Sequence, residues 1–173
     1  MIRDKDIVEN LYSLKTFDSN INLDTIKSAI QNAAAQYGVP VTFTNDQLKV
    51  GGLFNSETRP CLIVCHPEHL KDYFKFVISI HQNSGMTFIN CSTFGQSKNM
   101  NKLVARKQAG AVMKQGIKNA LKEGNWSPGL SLTTGALISG AKALQSLGGS
   151  KAKKEAEQNY YDAILAIFEQ LFA

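Results

Sequence analysis

The side chains best equipped for chemistry gather in one stretch. Three thiols (Cys61, Cys65, Cys91) and all three histidines (His66, His69, His81) lie between residues 61 and 91. Thiolates and imidazoles hold zinc when several converge at about 2.0–2.3 Å, and a thiolate beside a histidine base makes a nucleophile. Cys65, Cys91 and His81 could neighbour one another across hairpins. The spacing argues against a metal: Cys61 and Cys65 share one face of an apolar run while His66 points to the other, and no C-x-x-C knuckle is present. Thiols in buried strands are normally inert. The reading is therefore core thiols and surface histidines, with no metal site, no cofactor and no catalytic residue assigned. P-loop, dinucleotide-binding, H-E-x-x-H and G-x-S-x-G patterns are lacking too, so the expectation leans away from an enzyme.

These residues sit in the one long region patterned as strands. Cys61 to Cys65 is a continuous apolar run of strand length, as expected of an inner strand covered on both faces. His66-Pro67 ends it, because proline lacks an amide donor. From Tyr73 to His81, Phe74, Phe76, Ile78 and Ile80 alternate with Lys75, Val77, Ser79 and His81. Gln82 to Gly85 has turn chemistry, and Met86 to Thr93 forms the second arm of a hairpin, with Phe88 and Ile89 as core candidates. Upstream, Val41–Thr44 and Gln47–Gly51 flank Asn45-Asp46, which reads as a further hairpin turn.

Helices are expected on both sides. Ile7, Val8, Leu11 and Leu14 fit a short amphipathic helix over Asp4 to Leu14. Ile26, Ile30, Ala33, Ala34 and Tyr37 fit another over Leu23 to Tyr37, capped by Asn22 and stopped by Gly38 and Pro40. Lys154 to Phe172 has a wide apolar stripe, and Glu155, Glu157, Asp162 and Glu169 give it an acidic character. The expected fold class is α+β: N-terminal helices, an antiparallel meander of four to five strands, then C-terminal helices. A core domain over 1–125 would carry residues 126–173 packed upon it.

Size and composition set bounds. With 173 residues the chain can bury a self-sufficient core without disulfides. Its odd cysteine count and lack of a signal-like or membrane-spanning apolar segment suggest a reducing compartment, so a cytoplasmic location is expected. Net charge is +5. Residues 1–96 hold eight Lys and Arg against nine Asp and Glu, whereas residues 97–173 hold eleven against five. The excess centres on Lys98 to Lys122, where Lys107, Lys114, Lys118 and Lys122 share one helical face and form a candidate anion-binding surface. Leu130 to Gly149 is rich in Gly, Ala, Ser and Leu.

Three functional readings follow. The first is a non-enzymatic protein-interaction module that binds a protein partner or itself through the sheet and through Tyr161, Ile164, Leu165, Phe168, Leu171 and Phe172. The second is an accessory protein that binds nucleic acid or an anionic membrane through residues 98–122. The third is a small apolar ligand pocket lined by Phe74, Phe76 and Phe88.

Overall fold

The computed structural model describes residues 1–18, 20–52, 55–100 and 150–172. Its elements run β1 (Ile2–Arg3), a single 3-10 turn (Asp4–Asp6), β2 (Ile7–Thr16), α1 (Leu23–Tyr37), β3 (Thr42–Gly51), β4 (Ser56–Cys65), β5 (Lys75–Asn83), β6 (Met86–Phe94) and α2 (Ser150–Phe172). One six-stranded sheet has the order β1-β3-β4-β5-β6-β2. It is antiparallel apart from the short parallel pair β1–β3. The α+β class holds, but the sheet is mixed rather than a simple meander, and only one helix precedes its central strands.

The chain divides into two compact units, one of Met1–Gln31 with Val41–Ser97 and one of Asn32–Pro40 with Lys98–Ala173. The expected boundary at 125/126 lies outside the described residues.

In the first unit, the order of the strands forces the sheet to curl. Strands β1 and β2 occupy opposite ends of it yet are joined by three residues. In a flat sheet five strand spacings of about 4.8 Å would separate them by roughly 24 Å. The four residues from Arg3 to Ile7 reach about 14 Å at full extension, and a 3-10 turn rises only about 2 Å per residue. The two ends of the sheet must therefore approach, with β1 and β2 acting as one broken strand across the gap.

Register assigns side chains to the two faces. Leu48, Cys61, Ile63, Cys65, Val77 and Phe94 share a face, and Ile2 and Ile7 join it through Leu48 and Phe94. These residues form one apolar cluster with Val50, so this face is the concave interior. The convex face carries Leu62, Val64, Phe76, Ile78, Ile80, Ile89 and Cys91, all buried. The first half of α1 lies on the convex side, where Lys27 Nζ stands 5.8 Å above the Phe43 ring. Ile26 and Ile30 of that helix are buried.

Helix α1 has the expected bounds. Asn22 caps it, its Oδ1 accepting the Thr25 amide at 2.9 Å. Gly38 ends it at φ 67°, with the Val39 amide donating to the Ala34 carbonyl at 2.9 Å. The hairpin at Ser84-Gly85 also forms, with both residues at positive φ as a two-residue turn requires.

Two expected elements are different in the structure. Asp4 to Leu14 is no helix: Ile7–Thr16 pairs with β6. Register shifts between Ile7 and Glu9 and between Asn10 and Tyr12 mark two bulges. Each bulge inserts a residue and breaks the period of two, so the apolar residues fall at a spacing that imitates a helix. Nor do Asn45-Asp46 make a turn. Strand β3 runs straight through them, Asn45 opposite Leu62 and Asp46 opposite Cys61, because no glycine follows to supply positive φ and the long-range partner β4 decides the path. The reversal comes after Gly51, at φ 98°.

A Cβ on Gly51 would collide with the Asn55 carbonyl, whereas one on Gly38, at φ 67°, meets nothing. Gly51→Ala should therefore lower stability by roughly 2–4 kcal/mol in urea unfolding, and Gly38→Ala by only about 1 kcal/mol, its left-handed backbone alone. Equal losses would show that the turn after Gly51 relaxes freely.

Candidate functional site

The chemistry-bearing residues separate once they are placed on strands. Cys61 and Cys65 point into the concave interior and Cys91 to the convex face. Cys91 lies opposite Ile78 and is thus on the other side of the sheet from His81. All three thiols are buried. Burial raises the Cys61 thiol to about 11 and pushes Cys65 and Cys91 above the usual thiol range. Protonated thiols without an adjacent imidazole base have no route to a nucleophile.

His66 and His69 meet in the β4–β5 connection, ring centroids 4.8 Å apart, with Tyr73 stacked on His69 at 4.2 Å. His69 Nδ1 faces the Asp72 carboxylate at 3.7 Å. His66 Nδ1 accepts the Glu68 amide at 3.1 Å, so its neutral ring carries the proton on Nε2. The one lone pair of that tautomer, on Nδ1, is already taken by the amide. No group of three or more ligating side chains occurs among the described residues. Burial, and then the neighbouring His69, hold the His66 pKa below its ordinary value.

The concave face is divided. The apolar cluster fills the interior, and the row that starts from its Leu48 on β3 continues with Arg59 on β4, His81 on β5, Phe88 on β6 and Lys15 on β2, three of them polar. His81 opposes Phe88, and Phe88 opposes Lys15. Arg59 and His81 stand two residues beyond the Cys61–Ser79 pair. Arg59 donates from Nη2 to Glu57 Oε2 at 2.8 Å. His81 stacks on Phe88, centroids 4.8 Å apart and planes 12° from parallel. Arg59 Nε and His81 Nδ1 are buried and find no hydrogen-bond partner among the described residues. Burial, followed by the Arg59 charge, lowers the His81 pKa; the Arg59 hydrogen bond lowers that of Glu57. The next row adds Ser79, Asn90 and Ser13, with Ser13 Oγ donating to Asn90 Oδ1 at 2.8 Å. The sequence reading set His81 on a strand and weighed it as a base beside Cys65 and Cys91, and it overlooked Arg59. Alternation of Lys75, Val77, Ser79 and His81 was the signal available, but the partner strand was needed to bring Arg59 beside it.

The sheet edges make a second feature. A groove of about 540 Å³ is lined by Asp4, Lys5, Ile7, Val8, Glu9, Asn10 and Gly51, where β2 and the end of β3 come together without pairing. Among the described residues, Thr42–Gln47 of β3 pair with β4 alone. The Met1 amino group sits at this edge, 2.9 Å from Asp46 Oδ1, and that hydrogen bond is the main cause of a lowered Asp46 pKa.

Of the α2 stripe, Tyr161, Ile164, Leu165 and Phe168 are buried within the chain and Leu171 and Phe172 partly so. The helix is tied within its own unit by Tyr37 Oη donating to Gln170 Oε1 at 2.9 Å. Its acids do not make a solvated face. Glu157 is fully buried and accepts from Asn99 Nδ2 at 3.3 Å, and burial raises Asp162 to about 6 and Glu169 above its usual value. Lys107, Lys114, Lys118 and Lys122 lie outside the described residues. No described helix is long and apolar enough to cross a membrane. Phe74 and Phe76 are buried, and Phe76, opposite Thr93, lies on the other face from Phe88, opposite His81, so those two rings cannot line one pocket.

Two measurements follow. The three thiols should resist a disulfide reagent at pH 8 in the folded protein and all react after denaturation; rapid native labelling would contradict their burial. Asp162 binds its proton more tightly folded (about 6) than at its ordinary 3.8, so between those values its contribution makes stability fall as pH rises. Asp162→Asn should flatten that slope and raise neutral-pH stability by on the order of 1 kcal/mol, allowing for solvent screening. Comparison of the chain with known family models, curated proteins and solved structures gives no match.

Proposed function

We propose that this chain is a non-enzymatic protein-interaction module that takes an extended polypeptide segment onto the β3 edge at Thr42–Gln47. One observation carries the reading: the two ends of the sheet are protected unequally. Free strand edges attract other strands, and proteins blunt them with bulges, lysine, proline or a covering element. Strand β2 has two bulges and an exposed Lys15. The β3 segment has no bulge, lysine or proline, and its one charge, Asp46, is already matched by the Met1 amino group. Thr44, Asn45 and Gln47 are exposed. Six residues suffice for strand addition, where backbone hydrogen bonds supply affinity and alternate side chains supply selectivity. The buried α2 stripe favours the sheet edge over that helix as the docking element.

Hydrogen exchange tests the reading directly. In dilute protein, alternate amides between Thr42 and Gln47 should exchange fast, and they should become protected when a partner binds or, for self-association, as concentration rises and light scattering reports a dimer. Uniform protection of all six in a dilute monomer would mean that this edge is already covered within the chain.

A further inference from the structure

We propose that Arg59 and His81 form a binding site for a small phosphate-type dianion on the concave face of the curled sheet, with Glu57 as the group it displaces. A guanidinium binds an oxyanion side-on through Nε and one terminal nitrogen, two parallel hydrogen bonds to two oxygens. Glu57 takes only the Nη2 half of that edge, at 2.8 Å. The other half, Arg59 Nε, has no acceptor among the described residues, and neither does the neighbouring His81 Nδ1. An oxyanion with several oxygens accepts from Arg59 Nε and, with the neutral His81 ring in its Nδ1–H tautomer, from His81 as well, which the single Glu57 contact does not.

The surroundings fit the exchange. The Glu57 side chain is 58% exposed and that of Arg59 only 19%, so the acid is free to swing into water while the arginine stays in place. His81 is held by its stack on Phe88, which limits the entropy lost when a ligand orders the site. Lys15 closes the same row. Of the nearby acids on this face, Glu57 swings out and Asp46, one row away, already pairs with the Met1 amino group, so the charge left to Arg59 and Lys15 favours a dianion over a monocarboxylate. Ser13 and Asn90 in the next row already bond each other. This site is on the face of the sheet and is independent of strand addition at the β3 edge.

The test is a titration of the full chain with inorganic phosphate at constant ionic strength, reading the histidine ring resonances by NMR. The His81 signals should shift saturably while those of His66 and His69 stay in place. Arg59→Gln should abolish the shift. Glu57→Gln should tighten binding several-fold, because the competing carboxylate is gone; an ion pair serving only stability gives no such gain. If Arg59→Gln fails to fold by circular dichroism, the Glu57→Gln comparison decides alone. A parallel arm with phosphatidic acid vesicles separates sources: sedimentation with vesicles that Glu57→Gln strengthens assigns a lipid headgroup, and a phosphate response without sedimentation assigns a free phosphate. No saturable His81 shift in either wild type or Glu57→Gln, and no vesicle binding, overturns the proposal.

Discussion

The structure of the first unit depends on a short tether between the two ends of its sheet. Because β1 sits on β3 and β2 on β6 with only Asp4–Asp6 between them, the sheet cannot lie flat. Curling turns one face inward, and Ile2, Ile7, Leu48, Cys61, Ile63, Cys65 and Val77 then bury one another. In a flat sheet that face would be water-exposed, and the apolar area would contribute little at about 25 cal/mol per Å² removed from water. The curl therefore determines which residues of this face are core.

The same constraint locates both proposed sites. A curled sheet whose ends meet through a broken strand has a seam, and among the described residues the seam leaves part of β3 without a second neighbour. Curling also creates a concave face longer than its apolar filling. Beside Leu48, at the margin of that filling, the row continues with Arg59, His81, Phe88 and Lys15, which face inward by the period of two yet cannot all be packed away. Partly desolvated cationic donors with incomplete partners are costly, and they persist where something else satisfies them.

The legible parts of the sequence were those governed by local rules. The cap, stripe and stop of α1, the turn read over Gln82 to Gly85 and the continuous run Cys61 to Cys65 each follow from residues within a few positions of one another; the helix formed as read, while the turn tightened to Ser84-Gly85 and the strand extends back to Ser56. Strand β2 did not, because its two bulges shift Val8 and Leu11 out of alternation; at Asn45-Asp46 turn-forming residues were overruled by ten paired positions on β4. In both cases a distant strand outweighed a local preference, as β-pairing commonly does.

By itself the sequence determined that the chain would be an α+β protein, that Cys61–Cys65 would be an inner strand, and that its thiols would be buried rather than reactive. Composition and periodicity suffice for these, since they depend on hydrophobic burial along one segment. Only the tertiary structure decided that the sheet curls until its two ends approach, that Glu57 leaves half of the Arg59 fork unmatched, and that Arg59 stands beside His81 across two strands. Those facts concern pairs far apart in the chain, and their physical cause is strand register, which is fixed by the fold as a whole.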